Sequence, residues 1–123
     1  MATVELNKEN FEDVVTGNEL VVVDFWAPWC GPCRSFAPTY EAASAKHADI
    51  VFAKLNTEEE PEIAGHFDIR SIPTLMVFRE KVIVFSEAGA LPASGLEKVI
   101  NHAKELDMIA VHAKIAAEEE QEN

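Results

Sequence analysis

Val4 and Leu6, separated by one polar residue, predict a short first strand. Asn7 can then cap a helix carrying Phe11, Val14 and Val15 on one face, with Gly17 placed to end it. Residues 20–27 form an apolar, β-branched run with almost no alternation, which predicts a strand covered on both faces and so the centre of a sheet. From about Gly31 the pattern turns helical, through Phe36, Tyr40 and Ala43 to about Lys46, with Pro32 near the first turn, where a missing N–H costs little. Pro38 lies inside this helix and should kink it. Residues 50–55 predict another strand, and residues 61–67 a short helix. The βαβ unit over 20–55 is expected to be parallel and right-handed.

Residues 74–78 and 82–85 have the spacing of an antiparallel hairpin. Glu80-Lys81 in its turn does not favour the positive φ of a type I′ turn, so the turn type stays open. The last helix is expected from Pro92 or Ser94, the latter forming a Ser-x-x-Glu capping pattern with Glu97; Leu96, Val99, Ile100, Ala103 and Leu106 mark its buried stripe. Met108, Ile109, Ala110, Ala113 and Ala117 extend it through about residue 117, and the acidic stretch 118–123 is expected to fray as a solvated tail. That extension offers either packing on the domain or a partner or self-association surface.

A chain of 123 residues, 48% hydrophobic, supports one buried core and one domain, taken as 1–117. Its first five residues lack a basic segment and an apolar stretch of signal-peptide length, and no run approaches a membrane span; a soluble, cytoplasmic, monomeric protein is the expectation. The net charge of −12 argues against a nucleic-acid groove or an anionic membrane surface, both of which require positive fields. Without Glu118, Glu119, Glu120 and Glu122 the chain keeps 18 acidic against 10 basic residues, so the acidity belongs to the body as well.

The only two cysteines stand in Trp29-Cys30-Gly31-Pro32-Cys33, between the apolar run and the helical pattern. With Cys30 at the mouth of that helix, the i, i+3 relation puts both side chains on one face at a separation a disulfide can close. Helix N-terminal amides favour a thiolate at Cys30, the form that attacks disulfides, and Cys33 one turn deeper is the resolving thiol. Zinc is the rival, but His47, His66, His102 and His112 are scattered and no second CxxC completes four ligands. Asp24 interrupts the central strand; a carboxyl there should be desolvated and its pKa raised.

Residues 24–33 (Asp-Phe-Trp-Ala-Pro-Trp-Cys-Gly-Pro-Cys), then Ala53-Lys54-Leu55-Asn56, Ile69-Arg70-Ser71-Ile72-Pro73-Thr74 and Ala88-Gly89-Ala90-Leu91 fall in one order. In that order the chain resembles the thioredoxin family from about Leu6 to Leu106. The resemblance implies an α/β thioredoxin fold: three layers, α/β/α, with a central mixed sheet of about five strands flanked by about four helices, the last one extended. It implies a protein-disulfide reductase that needs no bound cofactor or metal and is re-reduced by a thioredoxin reductase drawing on NADPH. On this resemblance Asp24 lies behind Cys33 and assists its deprotonation, with Lys54 as electrostatic partner. Ile72-Pro73-Thr74 becomes a cis-proline loop opposite the cysteines. Trp29, Gly31, Pro32, Ile72, Pro73, Gly89 and Ala90 form an apolar rim that binds substrate, while Trp26 packs beside the site. Relatives commonly carry Asn-Gly where this chain has Glu80-Lys81, and often Gly where it has Asp68; Asp tolerates the left-handed region better than most residues. Gly31-Pro32 matches reducing members, whereas isomerases and strong oxidants usually have His before the second cysteine. The rival from another class is a non-catalytic binding or chaperone module of the same fold.

Overall fold

The structure is a computed structural model, and it describes residues 3–122. Met1 and Ala2, counted in the domain, and Asn123, counted in the tail, lie outside the described residues. The elements run β1 (Thr3–Glu5), α1 (Phe11–Thr16), β2 (Leu20–Trp26), α2 (Gly31–Lys46), β3 (Val51–Asn56), α3 (Pro61–His66), β4 (Thr74–Arg79), β5 (Val82–Ala88), α4 (Ala93–Glu105) and α5 (Met108–Glu122). They build one five-stranded sheet in the order β1-β3-β2-β4-β5. The β1–β3 and β3–β2 pairs are parallel and the β2–β4 and β4–β5 pairs antiparallel, so the sheet is mixed.

β2 takes the middle position that its unbroken apolar run predicts, with Val21, Val22, Val23 and Phe25 all at most 1% exposed. Alternation along the strand sorts the core into two halves. Val22 shares one side with Phe36, Tyr40 and Ala43 of α2 and Leu96, Ile100 and Ala103 of α4. Val21, Val23 and Phe25 share the other with Val15 of α1, and Ile63 of α3 and Phe67 lie against it. The Tyr40 hydroxyl ties α2 to the sheet, lying 2.7 Å from the Ala53 carbonyl and 3.0 Å from that of Val22.

Several local expectations are corrected. Asn7 and Asn10 each accept the other's backbone N–H, at 2.9 and 2.8 Å, and the helix proper begins only after this turn, at Phe11. Gly17 does end α1, but with φ −86; a Cβ there would meet the Asp13 carbonyl oxygen at 2.6 Å, so close approach is what requires the glycine. Ser94 does not cap α4: Pro92 holds the N-cap position, and Glu97 turns to His47, 2.9 Å away.

The hairpin turn is of the primed kind after all, with φ +50 at Glu80 and +71 at Lys81. The two-residue connection between twisted antiparallel strands outweighs the preference of Glu and Lys for negative φ. Asp68 adopts φ +54 past the end of α3, and the N–H of Ile69 reaches the Ala64 carbonyl at 3.0 Å, closing that helix end.

Instead of one extended last helix there are two, so among the described residues five helices accompany the sheet. Leu106 leaves the helical region with ψ 138, and Asp107 caps the new helix by accepting the Ala110 N–H at 3.1 Å. The break has a partner in the sheet. Arg79, at the end of β4, donates to the carbonyls of Ala103, Lys104 and Leu106 at 2.7, 2.9 and 3.0 Å. These are the last acceptors of α4, which a continuing helix would have used internally. α5 returns over the hairpin, where His112 meets Glu80 at 2.9 Å, and its helix carries through the acidic stretch to Glu122.

Candidate active site

β2 delivers the chain to the site at its C-terminal end: after Trp26 the backbone passes Ala27 and Trp29 and enters α2 at Cys30. Cys30 is the N-cap residue of that helix, in extended conformation with φ −84 and ψ 113, and its Sγ accepts the backbone N–H of Cys33 at 3.2 Å. Cys30 and Cys33 are joined as a disulfide with their Cα atoms 5.2 Å apart, as the i, i+3 spacing predicts. When the bridge opens, the same N–H and the unpaired amides of the first turn stabilise negative charge on the Cys30 sulfur.

Exposure does not separate the two cysteines, at 4% for Cys30 and 3% for Cys33. Their surroundings do. The Cys30 sulfur lies at the helix terminus and 3.7 Å from the Ile72 carbonyl oxygen, facing the loop that carries Pro73. Cys33 sits one step inside, within the first turn, and both cysteines share a small apolar cluster with Ala27, against which Trp26 and Ile72 pack.

The Ile72-Pro73 bond is cis. Pro73 itself is buried. Its carbonyl accepts the Gly89 N–H at 2.8 Å, which draws the end of β5 against this loop. Gly89 has φ +113, a conformation only glycine adopts without strain. Around the sulfur, Gly31, Pro32, Gly89 and Ala90 are exposed and Ile72 is half-buried, while Trp29 is 65% exposed.

Glu58 is not singled out by the sequence. Its carboxylate accepts the Trp29 indole N–H, and its own backbone N–H is held by the Asn56 side chain at 2.9 Å. The only trace of it in the chain is an acidic run directly after a strand, which elsewhere would be a solvated turn.

Asp24 is 1% exposed, and neither carboxyl oxygen has a hydrogen-bond partner among the described residues. Val22, two residues earlier, faces α2, so Asp24 points to the same side of the sheet, beneath the helix that carries Cys33. Burial pushes its pKa up to about 7 against the opposing pull of Lys54, with Glu5 adding to the rise. Lys54 stands opposite Asp24 in the β2–β3 register, but its ammonium lies 4.5 Å from the centre of the Trp26 ring, and no ion pair between the two residues forms among the described residues. The Trp26 indole nitrogen is likewise buried without a partner among the described residues. Among the described residues no group of three His, Cys, Asp or Glu side chains could hold a metal, and no helix is long and apolar enough to cross a membrane.

The thioredoxin family model matches residues 2–102. A thioredoxin 2 homologue of Streptomyces coelicolor is 52% identical over 120 residues, covering 98% of this chain and 90% of that protein. A Synechocystis thioredoxin is 45% identical over 105 residues, covering 80% of this chain and 98% of its own length. Among solved structures, a thioredoxin from Plasmodium falciparum superposes with a TM-score of 0.76 at 35% identity, covering 81% of this chain and 98% of that one.

Proposed function

The chain belongs to the thioredoxin family and is a protein-disulfide reductase working through its dithiol–disulfide pair, and we propose that Cys30 is the attacking thiol and Cys33 the resolving one. The observation that carries this division is the position of the Cys30 sulfur: capping α2, accepting the Cys33 N–H, and facing the Ile72 carbonyl. In the reduced protein the Cys30 thiolate attacks one sulfur of a substrate disulfide; that S–S bond breaks, and the other substrate sulfur leaves as a thiolate and takes a proton. Cys33 then loses its proton to the Asp24 carboxylate and attacks the Cys30 sulfur, so the mixed disulfide breaks and the second substrate sulfur departs as a thiolate that takes up a proton, while Asp24 gives its own back to the solvent. The substrate gains two electrons and two protons, and the protein keeps the Cys30–Cys33 bridge.

Asp24 suits the proton-acceptor role because its affinity for a proton lies near neutrality, raised by burial, and Lys54 moderates that rise. The rim of Trp29, Gly31, Pro32, Ile72, Pro73, Gly89 and Ala90 receives an extended substrate segment. Its members that are exposed contribute apolar surface, and the Ile72 carbonyl contributes a backbone acceptor. Thioredoxins need no bound cofactor, and the redox group is part of the protein itself. The family works with disulfide substrates and reductases. For this chain the reductase is a thioredoxin reductase drawing on NADPH, and the setting is cytoplasmic electron transport that maintains cell redox balance, with the protein acting as a monomer.

The test uses Cys33→Ser and Cys30→Ser with a disulfide-containing protein. Cys33→Ser accumulates a mixed disulfide through Cys30, visible on a non-reducing gel and dissolved by dithiothreitol, while Cys30→Ser does not. The reverse pattern would exchange the two roles. Equal capture of the partner by a variant lacking both cysteines would favour the non-catalytic binding module instead.

A further inference from the structure

Three charged side chains from three neighbouring strands occupy one row of the sheet. Glu5 of β1 stands opposite Lys54 of β3, and Lys54 stands opposite Asp24 of β2. In parallel strands, residues in register share a face, so all three point to the side that carries α2 and α4, with Glu5 exposed on the edge strand. The neighbours confirm the parity: Leu6, next to Glu5, belongs to the core on the other side, and Phe52, two residues from Lys54, belongs to the α2 side.

Lys54 therefore stands between two carboxyl groups and is the one cation in the row. Among the described residues it forms an ion pair with neither, and its ammonium rests over Trp26. The remaining groups around Asp24 are silent near neutral pH. Tyr40 of α2 has its hydroxyl engaged with main-chain carbonyls, Leu75 is the register neighbour on β4, and α4 presents Leu96 and Ile100 to this side of the sheet. Around Glu5, the other acidic neighbour is Glu59, and the main-chain carbonyl of Glu5 accepts the Asn10 side-chain amide at 2.9 Å.

We propose that Glu5 is a positioning residue of the reaction: it competes with Asp24 for Lys54 and so sets how readily Asp24 accepts the Cys33 proton. The inference rests on the reading of Asp24 as that acceptor. With Glu5 present, one ammonium serves two carboxylates, and Asp24 holds its proton to higher pH. Neutralising Glu5 leaves Lys54 to Asp24 alone and removes a negative charge about 10 Å away, two strand spacings. In the intermediate dielectric between protein surface and water the lost repulsion alone lowers the Asp24 pKa by about half a unit, and the freed ammonium adds to that fall.

The experiment titrates the Asp24 side-chain carboxyl carbon by NMR in the oxidised protein, for the wild type, Glu5→Gln, Lys54→Met and the double variant. The expected result is a fall in the Asp24 midpoint in Glu5→Gln, a rise in Lys54→Met, and a smaller effect of Glu5→Gln once Lys54 is gone. An unmoved midpoint in Glu5→Gln overturns the proposal, and so does an equal fall with and without Lys54, which would be plain repulsion. The pH profile of disulfide reduction is recorded on the same variants, and its acid limb should move down with the NMR midpoint. A midpoint that moves while the rate profile stays put would leave the hold of Glu5 on Asp24 intact and refute Asp24 as proton acceptor.

Discussion

Replacing Asp24 by Asn removes a buried group whose protonation differs between the folded and unfolded chain. In the folded protein its pKa is about 7, and the ordinary value is 3.8. At a pH below 3.8 the carboxyl is neutral in both states, and its charge costs folding nothing. As pH rises toward 7 the unfolded chain has already lost this proton while the folded one keeps it, so stability falls by 2.303RT for each pH unit. Above about 7 the loss is complete and amounts to about 4 kcal/mol, a large part of the stability of a domain this size. Because the side chain is 1% exposed, solvent does not screen this contribution. The amide of the variant has no proton to lose over this range. Urea unfolding of the oxidised wild type and Asp24→Asn at pH 5 and pH 8 should therefore give a gain for the variant at pH 8 that exceeds its gain at pH 5 by about 2 to 3 kcal/mol. The amide's own fit in the cavity contributes equally at both pH values and cancels from that comparison. The same variant should reduce protein disulfides more slowly. A stability difference identical at both pH values would refute the account of Asp24 as a carboxyl kept neutral by burial.

Two further variants test the parts of the fold that depart from expectation. Lys81→Gly, at φ +71 in the hairpin turn, relieves the left-handed backbone by more than the added entropy of glycine in the unfolded chain, and should stabilise the protein by about 1 kcal/mol; an unchanged or lower denaturant midpoint would count against strain there. Arg79→Met removes the donor to three carbonyls at the end of α4 and should cost roughly 2 to 3 kcal/mol, with faster amide hydrogen exchange through residues 107–116; exchange confined to other segments would show that α5 does not depend on this cap.

What is legible in the sequence follows from strong, one-dimensional signals. The uninterrupted run of β2 announces the middle of the sheet, and the spacing of Cys30 and Cys33 at a helix start announces the bridge. Asp24 is visible because a charge in such a run has no ordinary reason to be there. The misses come from contacts between distant segments. Arg79 ends α4 from across the sheet, and no residue within 93–117 signals a break except Asp107, whose capping power is invisible until Leu106 turns extended. The Ser94 pattern resembles a cap, but Pro92 enters the helix earlier and Glu97 is drawn to His47. Glu80-Lys81 adopts positive φ because strand pairing on either side dictates the turn. Glu5 and Glu58 read as ordinary surface acids, since a parallel register and an indole reached from another loop are properties of three dimensions.

The antiparallel pairing of β2 and β4 sets Thr74 beside Phe25 at one end and Arg79 beside Leu20 at the other. The disulfide stands at the first end, whereas the hairpin tip and α5, joined through Glu80 and His112, occupy the second. A bead, a dye or an electrode linker attached along the exposed face of α5 would thus leave the disulfide end of the sheet facing away from the support, so an immobilised layer of this protein should keep its electron-delivering capacity.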